Sequence, residues 1–143
     1  MDKLRHIGRK VNILSHKITR RIDRVASNYG VTAGQAKIIG FIYFKSDGVD
    51  VFQKDIEEEF DIRRSSVTSV LNLMEKNNLI KRVTVEEDGR LKKIVLTDKA
   101  IEIHKSINSE IEKVENIFAE VLSPEELNDF SEIIERLIKK IAD

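Results

Sequence analysis

The spacing of apolar residues changes twice along this chain, and the change limits the folds available to it. Steps of three and four give way to steps of two at residues 79–96 and then return. Within that segment, β-branched residues flank Asp88-Gly89, a dipeptide typical of hairpin turns. The pattern predicts one two-stranded hairpin in an otherwise helical chain, and the single Pro among 143 residues agrees with a high helix content.

Two helices are predicted at the N-terminal end. An apolar stripe from Leu4 to Val25 indicates a long helix that ends near Gly30, which can adopt the left-handed conformation after a helix. Thr32 and Gln35 have the spacing of a capping box and predict the start of a second, very apolar helix ending at Phe44.

Two shorter helices are predicted before the hairpin. Asp50 is expected to cap the third, with Gln53 as its capping-box partner. The fourth is expected at about residues 65–77, with Asn78 as a left-handed cap. A helix-turn-helix at about 51–77 followed by a wing at about 80–97 is therefore predicted.

Two long helices are predicted after the wing. Thr97 can cap the first of them, and Ser123-Pro124 with Glu126 is a strong start signal for the second. The fold class is therefore mainly α with a small β wing, in one domain over residues 1–143. The flanking segments 1–30 and 98–143 have more apolar surface than the central lobe, 31–97, can cover, so we expect them to form a dimerisation lobe with a second copy.

Composition excludes several kinds of site. There is no Cys, which removes disulfides, thiolate metal sites and thiol redox sensing. The sequence shows neither a membrane-spanning stretch nor a secretory signal, so an intracellular, cytoplasmic protein without a membrane partner is expected. The three histidines, His6, His16 and His104, are scattered, and His104 is expected at a helix interface. The sequence contains no recognisable grouping of catalytic residues. We therefore predict no metal, no cofactor and no enzymatic activity.

The formal net charge of zero hides an uneven distribution. Residues 1–30 carry eight basic and two acidic side chains, and residues 61–97 carry eight and five. Residues 31–60 carry three and six, and residues 98–143 carry six and twelve. The total therefore does not exclude nucleic acid, but attraction to it must be local.

The predicted fourth helix carries chemistry suited to DNA. Short hydroxyl side chains in its first turns allow close approach to a major groove, and two arginines precede them. The candidate contacts are Arg63, Arg64, Ser65, Ser66, Thr68, Ser69 and Asn72. Helix capping is the alternative role for the hydroxyl residues, and Gln53 is either a cap partner only or also a candidate phosphate contact.

Four further motifs occur in order along the chain: Leu71–Lys76, Asp88-Gly89-Arg90, Ile94–Thr97 and Leu122–Glu126. This ordered set resembles the MarR family of winged helix-turn-helix transcription regulators. The resemblance extends over nearly the whole chain. It implies a homodimer that binds double-stranded DNA at a pseudo-palindromic operator, most simply as a repressor.

The resemblance also assigns roles to the wing. Arg90 would enter the minor groove, Asp88 would shape the wing by pairing with an arginine, and Lys92 and Lys93 would contact phosphates, unless these lysines are only solubility charges. It further implies a small aromatic or anionic effector bound in a crevice between the dimer helices and the DNA-binding lobe. Lining that crevice is the alternative role for Tyr29, Phe41 and Tyr43, but core packing is expected for each, so no ligand-binding residue is predicted.

Two positions depart from the family pattern, and one other function remains open. Phe52 stands where relatives carry Ser or Thr, and Asn78 stands where they carry Gly. The alternative function is a winged-helix protein-interaction module that does not bind DNA. The eight basic and four acidic residues from Arg63 to Lys93 count against it, because such a module should present an apolar or acidic face.

Overall fold

The computed structural model describes residues 6–85 and 88–141 and confirms the predicted fold class. In this part of the chain there are six α-helices and one antiparallel pair of strands. They are α1 (Ile7–Ala26), α2 (Ala33–Lys45), α3 (Gln53–Phe60), α4 (Arg64–Lys76), β1 (Ile80–Val85), β2 (Asp88–Leu96), α5 (Asp98–Val121) and α6 (Pro124–Lys140). The chain divides into two compact units, Met1–Asn108 and Ser109–Asp143.

The junction between α1 and α2 follows the predicted signals. A short 3-10 turn ends at Gly30, whose φ of 74° is left-handed. The Thr32 hydroxyl accepts a hydrogen bond from the Gln35 N–H, and the Gln35 side chain accepts one from the Thr32 N–H, both at 3.1 Å. The Asp23 carboxylate also accepts from the Ala33 N–H, which ties α1 to the start of α2. The predicted capping box is confirmed, and α2 begins at Ala33.

The predicted start of α3 is wrong. The helix begins at Gln53, and Asp55 rather than Gln53 accepts a hydrogen bond, at 2.8 Å, from the N–H of Phe52. The reason is that Val51 is engaged in main-chain pairing: its carbonyl accepts from the Ile94 N–H at 2.7 Å. Asp50 precedes this extended residue, and its carboxylate lies 3.6 Å from the Lys93 ammonium instead of capping the helix.

The helix α4 packs through one apolar face and ends as predicted. Val67, Leu71 and Met74 are almost fully buried, each at 1% exposure or less. Asn78 follows the helix with a φ of 60°, which confirms the left-handed position assigned to it. The chain then turns directly into β1, because the Leu79 N–H donates to the Met74 carbonyl at 2.9 Å.

The strands β1 and β2 form the predicted wing. Ile80 pairs with Leu96 and Arg82 with Ile94, and the register becomes irregular between Thr84 and Val85. The Val51 carbonyl extends the pairing beyond β2, so the residue before α3 anchors the wing to the helix-turn-helix. The turn predicted at Asp88-Gly89 is wrong: both residues belong to β2, and Asp88 pairs with Val85 next to the irregular register. Glu86 and Glu87, which separate the strands, lie outside the described residues.

The apolar core of the first unit draws on every helix up to the start of α5. Its largest fully buried side chains include Ile39, Ile42, Ile56, Leu71, Met74, Leu79, Ile80 and Ile107. The beginning of α5 belongs to this core, since Ala100 and Ile103 are buried with them. The position of the α4 surface is therefore fixed by packing from several helices at once.

His104 lies in an aromatic cluster between α5 and α2. Only 5% of its surface is exposed, and its ring stacks on Tyr43 with centroids 4.4 Å apart and meets Phe44 edge to face at 5.5 Å. Gly40 leaves room for the ring on the α2 side. Burial lowers the pKa of His104 because a charged imidazolium loses hydration there.

The second unit contains the end of α5 and the whole of α6. Ser123 caps α6 and forms the predicted box with Glu126, whose pKa is lowered by the hydrogen bonds from Ser123. Phe118 and Phe130 join the two helices with ring centroids 6.3 Å apart. Among the described residues, no helix is both long and apolar enough to cross a membrane.

We expect Thr97→Val to destabilise the protein. The Thr97 hydroxyl donates to the Asn78 carbonyl at 2.7 Å and accepts from the Ala100 N–H at 3.2 Å, so its loss leaves buried polar groups unpaired and α5 uncapped. The free energy of unfolding should fall by about 1–2 kcal/mol in urea titrations. Thr84→Val, at an exposed position on β1, is the matched control and should change it by less than about 0.5 kcal/mol.

We expect His104 to make the protein less stable at acidic pH. Because the folded state lowers its pKa, the unfolded chain binds this proton more readily, and the free energy of unfolding decreases as pH drops through the unfolded value of about 6.5. His104→Phe should reduce the difference in Tm between pH 7.5 and pH 5.5. The exposed His16→Gln is the control; equal pH dependence in all three proteins would contradict the assignment.

Candidate nucleic-acid interface

The outward face of α4 presents the polar side chains that the sequence indicated. It lies opposite the buried Val67, Leu71 and Met74. Thr68 is half-buried and lies at the boundary between the polar and the apolar face. The exposed members of the predicted set are Arg63, Arg64, Ser65, Ser66, Ser69 and Asn72. The fold thus brings the predicted recognition residues together on one surface.

The N-terminus of α4 belongs to the same surface. Arg63 occupies the position before the helix and makes no side-chain capping hydrogen bond. The first N–H groups of α4 are therefore available to an external acceptor, and the helix dipole favours a negative one. A phosphate group beside Arg63 and Arg64 would meet both requirements.

A cleft of about 650 Å³ adjoins this surface between α3, α4 and the wing. Its walls carry five cationic and two acidic side chains beside apolar ones. The cations are Lys54, Arg64, Arg82, Arg90 and Lys92, and the acids are Asp55 and Glu57. The cleft therefore has a local excess of positive charge, although the formal net charge of the whole chain is zero.

The predicted wing residues divide between two faces of β2. Arg90 and Lys92 line the cleft. Lys93 projects from the other face, as alternation along a strand requires, and its ammonium lies 3.6 Å from the Asp50 carboxylate. The side chain of Asp88 lies outside the described residues. A phosphate contact by Lys93 would require it to leave Asp50.

Arg82 is a member of the site that the sequence did not indicate. Its guanidinium donates to the Asn72 side-chain oxygen at 2.8 Å and lies 3.7 Å from the Glu75 carboxylate. The period-two pattern places Arg82 on the same face of β1 as the buried Ile80, so its direction towards α4 was accessible from sequence. Its partners were not. The contact fixes the Asn72 side chain and joins the wing to α4.

Gln53 lies against α4. Its amide nitrogen donates to the Thr68 hydroxyl at 2.8 Å and lies 3.5 Å from the Arg64 carbonyl oxygen. The neighbouring Ser69 hydroxyl instead donates to its own helix, to the Ser65 carbonyl at 3.1 Å. The hydroxyl groups of Thr68 and Ser69 are therefore held by different partners.

The aromatic side chains considered for an effector crevice do not form one group. Phe41 packs edge to face on Phe60 with centroids 5.8 Å apart, and Tyr43 belongs to the His104 cluster. Tyr29 is 42% exposed. In residues 6–85 and 88–141, no three His, Asp or Glu side chains are grouped so that they could hold a metal ion.

In sequence, the chain is similar to MarR-family transcription regulators. A sequence model of the MarR family matches residues 29–91, which span α2 to the wing. The crystal structure of the transcription regulator MarR from Oenococcus oeni is 31% identical, with a TM-score of 0.83. The alignment covers 93% of this chain and 98% of that one.

More distant structures share the fold. MepR from S. aureus, in a complex with DNA, has a TM-score of 0.85 at 21% identity, covering 95% of this chain and 98% of that one. PcaV from Streptomyces coelicolor, in complex with its natural ligand, has a TM-score of 0.77 at 20% identity, covering 94% and 92%.

Proposed function

Because the chain belongs to the MarR family of winged-helix, DNA-binding transcription regulators, we propose that it acts as a homodimeric repressor on a pseudo-palindromic operator. The observation that carries this proposal is the exposed polar face of α4 beside a cleft with five cations and two carboxylates. Two such helices in a dimer would enter successive major grooves about 34 Å apart. The protein would work in the cytoplasm, and no enzymatic activity is proposed.

The proposed contacts fall into two classes. Arg63, Arg64, Ser65, Ser66, Thr68, Ser69 and Asn72 would approach base edges and adjacent phosphates from α4. Arg90 would enter the minor groove from the wing, and Lys92 and Lys93 would contact phosphates, Lys93 by leaving Asp50. Asp88 would shape the wing by pairing with an arginine. Gln53, at the start of α3, is the remaining candidate for a phosphate contact, and its side chain also donates a hydrogen bond to Thr68.

The exposed apolar face of α6 supports dimerisation. Leu137, Ile138 and Ile141 are 44%, 61% and 80% exposed in the single chain. On α1, Ile7, Val11 and Leu14 are likewise exposed and follow helical spacing. Helices whose apolar stripes remain open to water favour burial against another chain. We propose that residues 1–30 and 98–143 supply this dimerisation lobe.

An effector forms the last part of the proposal. PcaV was crystallised in complex with its natural ligand, so a protein of this fold can bind a ligand. For this chain we propose a small aromatic or anionic effector that releases DNA by changing the separation of the two DNA-binding lobes.

Selection of bound sequences from random double-stranded DNA tests the function directly. We expect enrichment of an inverted repeat with half-sites one helical turn apart. Repeating the selection with aromatic acids tests the effector. If no inverted repeat is enriched under any condition, the proposal fails and a protein-interaction module becomes the better hypothesis.

Arg90→Ala should weaken DNA binding. Each copy loses one cation from the cleft, so affinity should fall about tenfold, and the slope of log K against log salt should become shallower by roughly 0.9 per lost phosphate contact. Lys105→Ala removes an exposed cation from α5 and serves as the control. Unchanged affinity and slope in the Arg90 variant would contradict the wing assignment.

Leu137→Asp should convert the protein to a monomer. A carboxylate on the exposed apolar face of α6 cannot be buried in an interface without a large desolvation cost. Analytical ultracentrifugation should show half the mass, and operator affinity should fall by about a hundredfold or more because two half-sites are no longer bound together. Lys139→Asp introduces the same group on a polar part of α6; a dimer in both variants would refute the proposed interface.

A further inference from the structure

The contact between Gln53 and α4 determines which group donates in the hydrogen bond between Gln53 and Thr68. The Gln53 side chain meets two groups of α4, the Thr68 hydroxyl at 2.8 Å and the Arg64 carbonyl oxygen at 3.5 Å. A carbonyl oxygen only accepts hydrogen bonds, so the part of the amide that faces α4 must be its NH₂ group. Gln53 therefore donates to Thr68, and not the reverse.

The consequence for Thr68 follows from the chemistry of a hydroxyl. A hydroxyl has one hydrogen to donate and two lone pairs to accept with. One lone pair of Thr68 is taken by Gln53, and within the described ranges the hydroxyl hydrogen has no partner. Thr68 thus keeps a donor for an external group.

Ser69 has the opposite arrangement. Its hydrogen is used within α4, on the Ser65 carbonyl at 3.1 Å, so the exposed side of the hydroxyl offers lone pairs. Adjacent hydroxyl residues on one helix therefore present opposite hydrogen-bonding character: a donor at Thr68 and an acceptor at Ser69. Only the first depends on a side chain from another helix.

We propose that Gln53 is a positioning residue for sequence recognition, which makes Thr68 a donor and thereby selects a base-pair acceptor in the major groove. The inference rests on the proposed DNA-binding function and adds a specificity determinant to it. The acceptors that Thr68 would select are purine N7, guanine O6 and thymine O4. The amino groups of adenine and cytosine, which donate, would be disfavoured opposite Thr68.

Two substitutions at Gln53 separate this role from a phosphate contact. Gln53→Met keeps the length of the side chain but removes the donor, so the Thr68 hydroxyl becomes free to turn either way. Gln53→Glu replaces the donor by an acceptor, so the Thr68 hydrogen would turn inward to the carboxylate and expose lone pairs. Thr68→Val, alone and combined with each, removes the hydroxyl on which the proposal depends.

The measurement is the dissociation constant of the dimer of residues 1–143 on the selected operator and on operators substituted at each base pair of the half-site. At one position, wild type should bind guanine or thymine, which present acceptors and no amino group in the major groove, about tenfold more tightly than cytosine, which presents only an amino donor. Gln53→Met should reduce that preference to about twofold or less. Gln53→Glu should shift the preference towards cytosine, whatever its added charge does to overall affinity.

A double-mutant cycle provides the second test. In the Thr68→Val background, Gln53→Met should no longer alter base preference, because the group it acts through is gone. Ser69→Ala is the matched control: its hydroxyl is held by its own helix, so its effect on base preference should multiply with that of Gln53→Met within about twofold. Thermal melting of each variant confirms that it folds.

Two outcomes would overturn the inference while leaving DNA binding intact. If Gln53→Met weakened binding equally on all sequences, as Lys54→Met at an adjacent cation of the cleft should, Gln53 would be a phosphate contact. If the Gln53 and Thr68 substitutions were independent, no positioning would exist. Failure of wild type to select any DNA would instead refute the proposed function.

Discussion

The burial of one face of α4 is the constraint on which the rest of the site depends. Val67, Leu71 and Met74 are enclosed by the core of the first unit, so the helix cannot rotate without exposing apolar surface. Burial of each such side chain is favoured over its exposure to water by about 1.5–3 kcal/mol. The polar residues between them are consequently held outward, and Arg82 and Gln53 then fix individual polar side chains on that face.

The parts of the fold that local chemistry dictates could be predicted from sequence. The capping residues Thr32 and Ser123 and the left-handed Gly30 and Asn78 act within a few residues of themselves, and the structure confirms them. The start of α3 could not be predicted in this way. Asp50 is a good capping residue by itself, but the pairing of Val51 with the distant Ile94 places the helix start after it.

The candidate site shows the same division. Helical periodicity was sufficient to group the exposed residues of α4, since the apolar positions define the opposite face. Side-chain partners across elements were out of reach, because Gln53 and Thr68 are 15 residues apart and the bond between them depends on how α3 crosses α4. Lys93 is another example. The alternation along a strand predicts that Lys93 lies on the opposite face from Lys92, but its ion pair with Asp50 depends on the tertiary structure.

The attachment of the wing has a consequence for how such a protein can diverge. The bond from the Ile94 N–H to the Val51 carbonyl joins main-chain atoms, and so does the ladder between β1 and β2. Main-chain bonds of this kind tolerate almost any residue except proline at the donor. Side chains at Arg90 and Lys92 can therefore be exchanged during evolution while the wing stays in place, so that the contacts proposed for the wing change without a new scaffold.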